Sequence, residues 1–372
     1  MPQVSTLHIV HTESSCGWGG QEIRILTEAA GMRARGHAVT LICPADAPIR
    51  VQAERRQIPV FVLPIARKHI RGFRALRVWL AANPRIDVVN THSSTDSWLA
   101  ALACATLARA PAIVRTRHVS TGVNNNLGTR WLYQRAAAHI VTTGEALRRQ
   151  LHTDSGIALE HMTSIPTGID LQRFRPRDKV TAQRTVGLLP ERRYLGVVAT
   201  LRNWKGHTYL LQAFADLAPR FATWDLLVIG DGPQRHNIEK LIVDLGLETR
   251  VRMVGNRDDV ETWLNALDLF VLPSYGAEGV SQSVMQAMAS GLPVVSTTVG
   301  ALAEAVCHER TGLLVPPKDR ERLATALAKL MDDDALRQRM GHAGSTYAHT
   351  HFGMEHMLDR MERVFRRFRR GP

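Results

Sequence analysis

Short runs of apolar residues alternate along the chain with longer segments whose apolar positions have helical spacing. In the first half the strand-like runs are residues 7–10, 39–43, 60–63, 87–90, 112–115 and 139–142, and the helical segments include 21–35 and 97–109. This alternation of strand and helix is typical of a parallel sheet covered by helices. We therefore expect a Rossmann-like domain over residues 1–170.

The rhythm breaks at residues 165–176, where proline and glycine interrupt it in the stretch P-T-G-I-D-L-Q-R-F-R-P. It resumes with a helix from about residue 207 and with strand-like runs at residues 194–198, 224–229, 251–254, 268–272 and 293–296. Such a break is typical of a domain boundary. The pattern predicts a second doubly wound parallel-sheet domain over residues 171–350. In folds of this kind the ligand crevice lies beyond the carboxyl ends of the strands.

The last segment, residues 351–372, predicts a basic amphipathic helix. Six arginines between residues 360 and 370 are interleaved with Met361, Val364, Phe365 and Phe368 at three- and four-residue spacing. Two interpretations stay open: a helix docked on its own protein with a solvated basic face, or a helix that contacts an anionic membrane.

The composition narrows the class of protein. Of the 372 residues, 45% are hydrophobic and 22% charged, which is typical of a globular chain. No apolar run is long enough to span a bilayer, the start lacks the features of an export signal, and four scattered cysteines suggest no disulfide framework. These features favour a cytoplasmic protein. The formal charge of +13 favours anionic partners, but no recognisable nucleic-acid-binding motif is present, so we expect none of that class.

Residues 274–304 carry the most informative motif. A loop follows the strand-like run 269–272 and leads into a helix predicted to begin near Val280, so the amides of Val280 and Ser281 suit a diphosphate. Glu278 precedes that helix, and its carboxylate can accept hydrogen bonds from sugar hydroxyls. Gln286 lies about two helical turns later and is expected on the same side.

This segment resembles the E-x7-E region of the retaining glycosyltransferases of family 4, which have the GT-B fold, and the similarity extends over nearly the whole chain. Glu278 matches the first Glu, and Gly279 and Gly291 match the glycines of the pattern. Gln286 replaces the second Glu, which usually meets the nucleotide ribose, and its amide can also bond to hydroxyls. The resemblance implies two Rossmann-like domains facing across a cleft, with the C-terminal helix returning to the N-terminal domain.

Two cations follow the strand-like run 194–198, in the stretch A-T-L-R-N-W-K-G-H. Arg202 and Lys205 are suited to neutralising a diphosphate and the charge that develops on the leaving phosphate. Lys205 matches the lysine of the family. The family's arginine usually lies five residues earlier, where this chain has Thr200, so Arg202 is expected to supply that charge.

Three further segments match the family. Gly19 and Gly20 lie between the first strand and helix, where the resemblance implies a glycine-rich loop on the acceptor side that also touches the donor phosphates. His118 ends a strand, and the family often has a histidine there, close to the donor sugar. Gly230 and Gly232 form a G-x-G-P turn, for which nucleobase contact and a purely geometric role both stay open.

The predicted function is transfer of a sugar from a nucleotide diphosphate sugar to a glycan or glycolipid acceptor, in lipopolysaccharide or other envelope glycan synthesis. The predicted catalytic residues are Lys205, Arg202, Glu278 and His118. No metal or other cofactor is expected, since the only D-x-D match, residues 332–334, is interpreted as a helix cap and a solvated run of charges between two helical segments. Two alternatives remain: a GT-B epimerase or hydrolase, and a non-catalytic nucleotide-sugar-binding subunit. The inner face of the cytoplasmic membrane is an alternative place of action.

Overall fold

A computed structural model describes residues 6–118, 122–124, 126–276 and 278–370 of the chain. Contacts between Cα atoms divide the chain into two compact units, Met1–Gly168 with Glu355–Pro372, and Ile169–Met354. Each unit contains one parallel sheet with helices interleaved between its strands. The prediction of two Rossmann-like parallel-sheet folds is confirmed.

The first unit has a seven-stranded sheet in the order β3-β2-β1-β4-β5-β6-β7. Its strands are β1 (His8–Thr12), β2 (Ala38–Cys43), β3 (Val60–Val62), β4 (Val88–Thr91), β5 (Ala112–Arg117), β6 (His139–Thr142) and β7 (Met162–Ser164). Its helices are α1 (Gly20–Ala34), α2 (Pro48–Arg55), α3 (Ile70–Ala82), α4 (Ser94–Ala105), α5 (Leu127–Trp131) and α6 (Glu145–Ser155). The strand order reverses between β1 and β4, which makes that pair the topological switch point.

The second unit has a six-stranded sheet in the order β10-β9-β8-β11-β12-β13. Its strands are β8 (Arg193–Val198), β9 (Trp224–Ile229), β10 (Val251–Gly255), β11 (Leu269–Leu272), β12 (Val294–Thr297) and β13 (Gly312–Val315). Its helices are α7 (Lys179–Thr185), α8 (His207–Leu217), α9 (Arg235–Asp244), α10 (Val260–Asn265), α11 (Gln282–Ala289), α12 (Leu302–Ala305), α13 (Arg320–Asp332) and α14 (Asp334–His351). Strands β11 and β12 are buried along their whole length, as in a sheet covered on both faces.

The final helix, α15 (Met354–Arg366), belongs from Glu355 onward to the first unit. Its apolar stripe is buried on that unit: Met357 Sδ accepts from the amide of Gly168, and Leu358 packs against Gly31 of α1. Arg35, the C-cap residue of α1, contacts three carboxylates of this helix, which are Glu355, Asp359 and Glu362. The apolar side of the basic helix is therefore used within the protein.

Some elements differ from the sequence pattern. Helix α4 begins at Ser94, three residues before the predicted start, because Ser93 and Asp96 form a capping box. Helix α3 was not predicted, since only Gly72, Leu76 and Leu80 of its thirteen residues are buried and arginines separate them. Within the described residues, no helix is both long and apolar enough to cross a membrane.

Candidate functional site

Lys205 and Glu278 lie in direct contact in the second unit. Lys205 ends a short 3-10 turn (Asn203–Lys205), and Glu278 lies in the loop that leads to α11. The Lys205 Nζ–Glu278 Oε1 distance is 2.6 Å, and the hydroxyl of Ser274 donates to the same oxygen at 2.9 Å. Both side chains keep some exposure, 19% for Lys205 and 11% for Glu278, so the pair is held in place yet open to a ligand.

The loops that carry these two residues are joined through their backbones. The amide of Tyr275 donates to the carbonyl of Trp204 at 2.8 Å. A Cβ at Gly206 would lie 2.0 Å from the carbonyl oxygen of Pro273, so the two chains approach as closely as a glycine permits. This contact explains why residues far apart in sequence share one site.

A third loop supports the backbone of Glu278. The amide of Ala301 donates to the Glu278 carbonyl at 3.0 Å. Gly300 has a φ of +58°, and a Cβ there would lie 2.2 Å from that same carbonyl oxygen. A side chain at Gly300 would meet both backbone strain and a steric clash. The Gly300-Ala301 loop therefore fixes the position of Glu278.

Helix α11 begins at Gln282, two residues later than predicted, and Ser281 is its N-cap residue in an extended conformation. The side of the helix formed by Val284, Met285, Ala287 and Met288 is buried in the unit. The partly exposed face carries Gln282, Ser283 and Gln286. Gln286 therefore shares a face with the first turn of the helix. Val280 is buried, whereas Gly279 is partly exposed.

Arg202 lies in the same loop as Lys205 but is exposed, with its guanidinium 5.2 Å from the centre of the Trp204 ring. Stacking of this kind is a weak interaction at the surface. The guanidinium is thus free to exchange the Trp204 ring for an anion.

Gly230 and Gly232 pack against the strand end that precedes Arg202. A Cβ at Gly230, whose φ is +134°, would lie 2.0 Å from the carbonyl oxygen of Ala199. The amide of Leu201 in turn donates to the Asp231 carbonyl at 3.0 Å. The close packing of this turn accounts for both glycines, which favours the geometric role over nucleobase contact.

In the first unit, Gly19 is the N-cap residue of α1 and Gly20 its first residue. Gly19 is extended, with a φ of −178°, and the nearest atom to a Cβ placed there is the Glu22 carboxylate at 3.8 Å. The surrounding protein therefore has room for a side chain at Gly19. This openness is what close approach of a ligand to the backbone requires, in contrast to the tightly packed Gly230.

A cluster of buried polar side chains lies at the switch point of the first unit, and the sequence motifs did not predict it. The Glu13 carboxylate accepts hydrogen bonds from the amide of Ser15, at 2.7 Å, and from the side chains of Gln21 and Ser93. Burial, and then the charge of Asp96, raise the pKa of Glu13 to about 7. Because these contacts join the ends of β1 and β4 to the start of α1, they hold the glycine-rich loop. The signal available in the sequence was a carboxylate three residues after the strand-like run 7–10.

His118 follows β5 and is partly exposed. Its Nε2 lies 2.9 Å from Nδ1 of His92, whose Nε2 lies 3.0 Å from Nδ1 of His11. Desolvation by burial lowers the pKa of all three imidazoles, which keeps them neutral near pH 7. His92 and His11 were not singled out from the sequence, although each lies at the carboxyl end of its strand, as His118 does.

In the described part of the chain, no group of three or more His, Cys, Asp or Glu side chains is arranged to hold a metal ion. The D-x-D stretch spans the junction of α13 and α14, and Asp333 caps α14 by accepting from the amide of Leu336 at 2.8 Å. Its neighbours pair with arginines: Asp332 with Arg220, and Asp334 with Arg193. The interpretation of this stretch as a helix cap is confirmed.

Two family models match the chain: the Glycosyltransferase Family 4 model over residues 18–173, and the Glycosyl transferases group 1 model over residues 192–333. The D-inositol 3-phosphate glycosyltransferase of Nocardia farcinica is 30% identical over 332 residues, which is 85% of this chain and 70% of that protein. The lipopolysaccharide core biosynthesis mannosyltransferase LpsB of Rhizobium meliloti is 32% identical over 231 residues, 59% of this chain. The chain spans 63% of the length of LpsB.

Among solved structures, Anabaena HepE in complex with UDP matches the chain with a TM-score of 0.85 and 21% identity, covering 97% of this chain and 100% of that one. This likeness concerns the fold, which is the GT-B arrangement of two Rossmann-like sheets. The two family models and the Nocardia relative show that the chain belongs to glycosyltransferase family 4, and the likeness to HepE shows the GT-B fold.

Proposed function

We propose that the protein transfers a sugar from a nucleotide diphosphate sugar to an acceptor hydroxyl, with retention of the anomeric configuration and without a metal ion. The observation that carries this proposal is the contact between Lys205 and Glu278 beside the N-terminal end of α11. A fixed cation, a carboxylate and the N-terminal end of a helix at one place match the needs of a phosphate, a sugar and a leaving group.

The donor diphosphate would bind the ammonium of Lys205 and the amides at Val280 and Ser281, before the first turn of α11. Glu278 would accept hydrogen bonds from the sugar, and Gln286, on the partly exposed face of α11, would bond to the ribose. The solved complexes of HepE with UDP and with UDP-glucose support a nucleotide-sugar donor for this chain.

The proposed reaction is a front-face substitution. The bond between the anomeric carbon and the phosphate oxygen breaks while the acceptor oxygen bonds to that carbon on the same face, and the acceptor proton passes to the departing phosphate. Lys205, the helix amides and Arg202, released from Trp204, would stabilise the charge that develops on the phosphate. The family resemblance gives His118 contact with the donor sugar. These positive groups would stabilise the departing phosphate, a role that a divalent metal ion has in other enzymes.

The proposed acceptor is a glycan or glycolipid of the cell envelope, and the name of LpsB, a lipopolysaccharide core mannosyltransferase, supports this class. Such an acceptor implies that the protein contacts an anionic membrane. Because the apolar side of α15 is buried in the first unit, we assign the contact to α3 and the preceding segment instead.

Residues 55–86 contain no Asp or Glu and eight cations, which are Arg55, Arg56, Arg67, Lys68, Arg71, Arg74, Arg77 and Arg85. Within this segment Ile70 and Val78 of α3 are 62% and 63% exposed, and Phe61 of the edge strand β3 is 48% exposed. Exposed apolar side chains among basic ones are what binding to an anionic lipid surface requires.

The proposal is tested with purified protein in two steps. A panel of UDP, GDP and ADP sugars is screened by thermal shift, where a bound donor raises the melting temperature. The donor found is then incubated with glycolipid acceptors, and the linkage of the product is determined by NMR. Product formed without an acceptor would favour the epimerase or hydrolase alternative, whereas binding without any product would favour the non-catalytic one. An inverted linkage would refute retention.

A further inference from the structure

Three histidines from neighbouring strands of the first unit form a continuous chain of imidazoles. His11 lies in β1, His92 follows β4 and His118 follows β5, and these strands are adjacent in the sheet. The ring centres are 5.3 Å apart for His11 and His92, which are stacked, and 5.2 Å apart for His92 and His118. His11 and His92 are buried, and His118 is the outer end.

Counting protons leaves two tautomeric arrangements for the three histidines. A neutral imidazole has one N–H, so one nitrogen donates and the other accepts. His92 uses both nitrogens, Nδ1 towards His118 and Nε2 towards His11, and must donate on one side and accept on the other. Therefore either all three rings carry their proton on Nε2, or all three carry it on Nδ1. The two arrangements differ at the outer end, where Nδ1 of His118 is an acceptor in the first and a donor in the second.

His11, the inner end of the row of three histidines, faces Glu28. His11 Nε2 lies 4.0 Å from Glu28 Oε1. The amide of Asn90 donates to the same Glu28 oxygen at 3.1 Å, and Thr116 fixes the orientation of that amide by donating to Asn90 Oδ1 at 2.8 Å. Arg24 Nε lies 3.8 Å from Glu28 Oε2. Two hydrogen-bond donors therefore face Glu28, the guanidinium of Arg24 from α1 and the amide of Asn90 from β4, in addition to His11 from β1.

These contacts favour an anionic Glu28 that acts only as an acceptor. Burial raises the pKa of Glu28 to about 7, and Arg24 and Asn90 act against that rise, so the carboxylate is the main form at pH 8. Beside a carboxylate, a lone pair on His11 Nε2 would be repelled, whereas an N–H there is attracted. The arrangement with the proton on Nε2 of all three histidines is therefore the stable one.

We propose that Glu28 is a positioning residue that, through His11 and His92, fixes the Nε2–H tautomer of His118 and leaves His118 Nδ1 as an acceptor for a hydroxyl of the donor sugar. This inference rests on the proposed function for the identity of the ligand. The tautomer itself depends only on the protein. A carboxylate buried in the first unit thus selects which hydrogen bonds the outermost histidine makes.

The tautomers are measured by NMR on the full chain with ¹⁵N-labelled histidine at pH 8, without ligand. The wild type is expected to show Nε2–H for His11, His92 and His118. In Glu28→Gln the amide can donate towards His11, and His118 is expected to gain Nδ1–H. The matched control is Glu22→Gln. Glu22 is a buried carboxyl of the same helix that does not contact the three histidines, so their tautomers are expected to stay unchanged. In His92→Phe, which keeps a stacked ring but no nitrogen, His118 no longer responds to Glu28→Gln.

Kinetics give the functional part of the test. Glu28→Gln should weaken the donor-dependent kcat/KM by roughly tenfold, the effect of about one hydrogen bond, and leave the acceptor KM unchanged. Nδ1–H on His118 in the wild type, or an unchanged His118 tautomer in Glu28→Gln, would overturn the inference; the wild-type spectrum decides even if the variant does not fold. Absence of turnover with every nucleotide sugar would instead count against the proposed function, since the spectra require no substrate.

Discussion

Lys205 Nζ and Glu278 Oε1 are 2.6 Å apart although 73 residues separate them in sequence. The second unit contains another lysine–carboxylate pair of the same length, Lys179 with Asp268, which is not part of the candidate site. This second pair provides an internal control for effects of charge and stability alone.

Replacing Lys205 with alanine should lower kcat/KM by roughly 10²–10³-fold, the usual cost of removing a group that stabilises charge in the transition state. The stability should fall by about 1–3 kcal/mol, because the largely buried carboxylate of Glu278 would lose its cation and, among the described residues, keep only the Ser274 hydroxyl as a partner. Steady-state kinetics and thermal unfolding measure the two effects. Lys179→Ala is the control and should keep full activity. Equal losses of activity in both variants would remove Lys205 from the mechanism.

Gln286→Leu should weaken donor binding by roughly 1–3 kcal/mol, because ribose hydroxyls would lose their partner. Gln286→Glu should keep or tighten binding, since a carboxylate forms charge-assisted bonds with hydroxyls. Calorimetric titration with the donor measures both. The control is Gln338→Leu, an exposed glutamine of α14. If Gln286→Leu binds every nucleotide sugar like the wild type, α11 does not face the ribose.

Gly300→Ala should abolish most activity, because the new Cβ would meet the Glu278 carbonyl oxygen and displace that residue. Gly246 is the matched control: its φ is +65°, but a Cβ there meets nothing within 4 Å. Gly246→Ala should therefore cost only the backbone strain, about 1 kcal/mol, and keep its activity. Donor kinetics and melting temperatures of the two variants separate strain from contact. Similar activity in both would show that the Gly300 loop does not position Glu278.

Glu28 gives a prediction on pH. Its folded pKa of about 7 lies above the unfolded value of 4.5, so between these values the native state binds more protons than the unfolded state. The contribution of Glu28 to stability is thus greatest below pH 4.5 and falls as the pH rises through 7. Relative to the wild type, Glu28→Gln should therefore gain stability over that window, on the order of 3 kcal/mol, and level off above it. Chemical denaturation from pH 5 to pH 8 measures this difference, and a difference independent of pH would contradict it.

The assignment of the membrane contact to α3 predicts that Arg71→Glu with Arg74→Glu strongly reduces sedimentation with vesicles containing anionic lipid. Charge reversal turns attraction to the lipid surface into repulsion. The comparison is Arg363→Glu with Arg367→Glu, two exposed arginines of the C-terminal segment, which should bind vesicles nearly as the wild type does. The reverse result would return the contact to the C-terminal segment.

The sequence by itself determined the class of fold. The spacing of apolar residues gave most strands to within one or two positions, because strands buried on both faces appear as continuous apolar runs. Strand β9 (Trp224–Ile229) matches its predicted range. The apolar pattern did not reveal α3, because its narrow buried stripe lies among arginines. It also did not reveal β13, because a run of four residues is a weak pattern.

The local motif around Glu278 was also readable from the sequence, as were the cations Arg202 and Lys205. Only the tertiary structure decided that Lys205 meets Glu278 while Arg202 stacks on Trp204. It likewise joined His118 to His92 and His11, which lie on separate strands. Such contacts depend on which strands are neighbours and on where each loop turns, and backbone packing, as at Gly206 and Gly300, fixes both. The sequence states which chemical groups are present, and the packing of the sheets selects which of them meet.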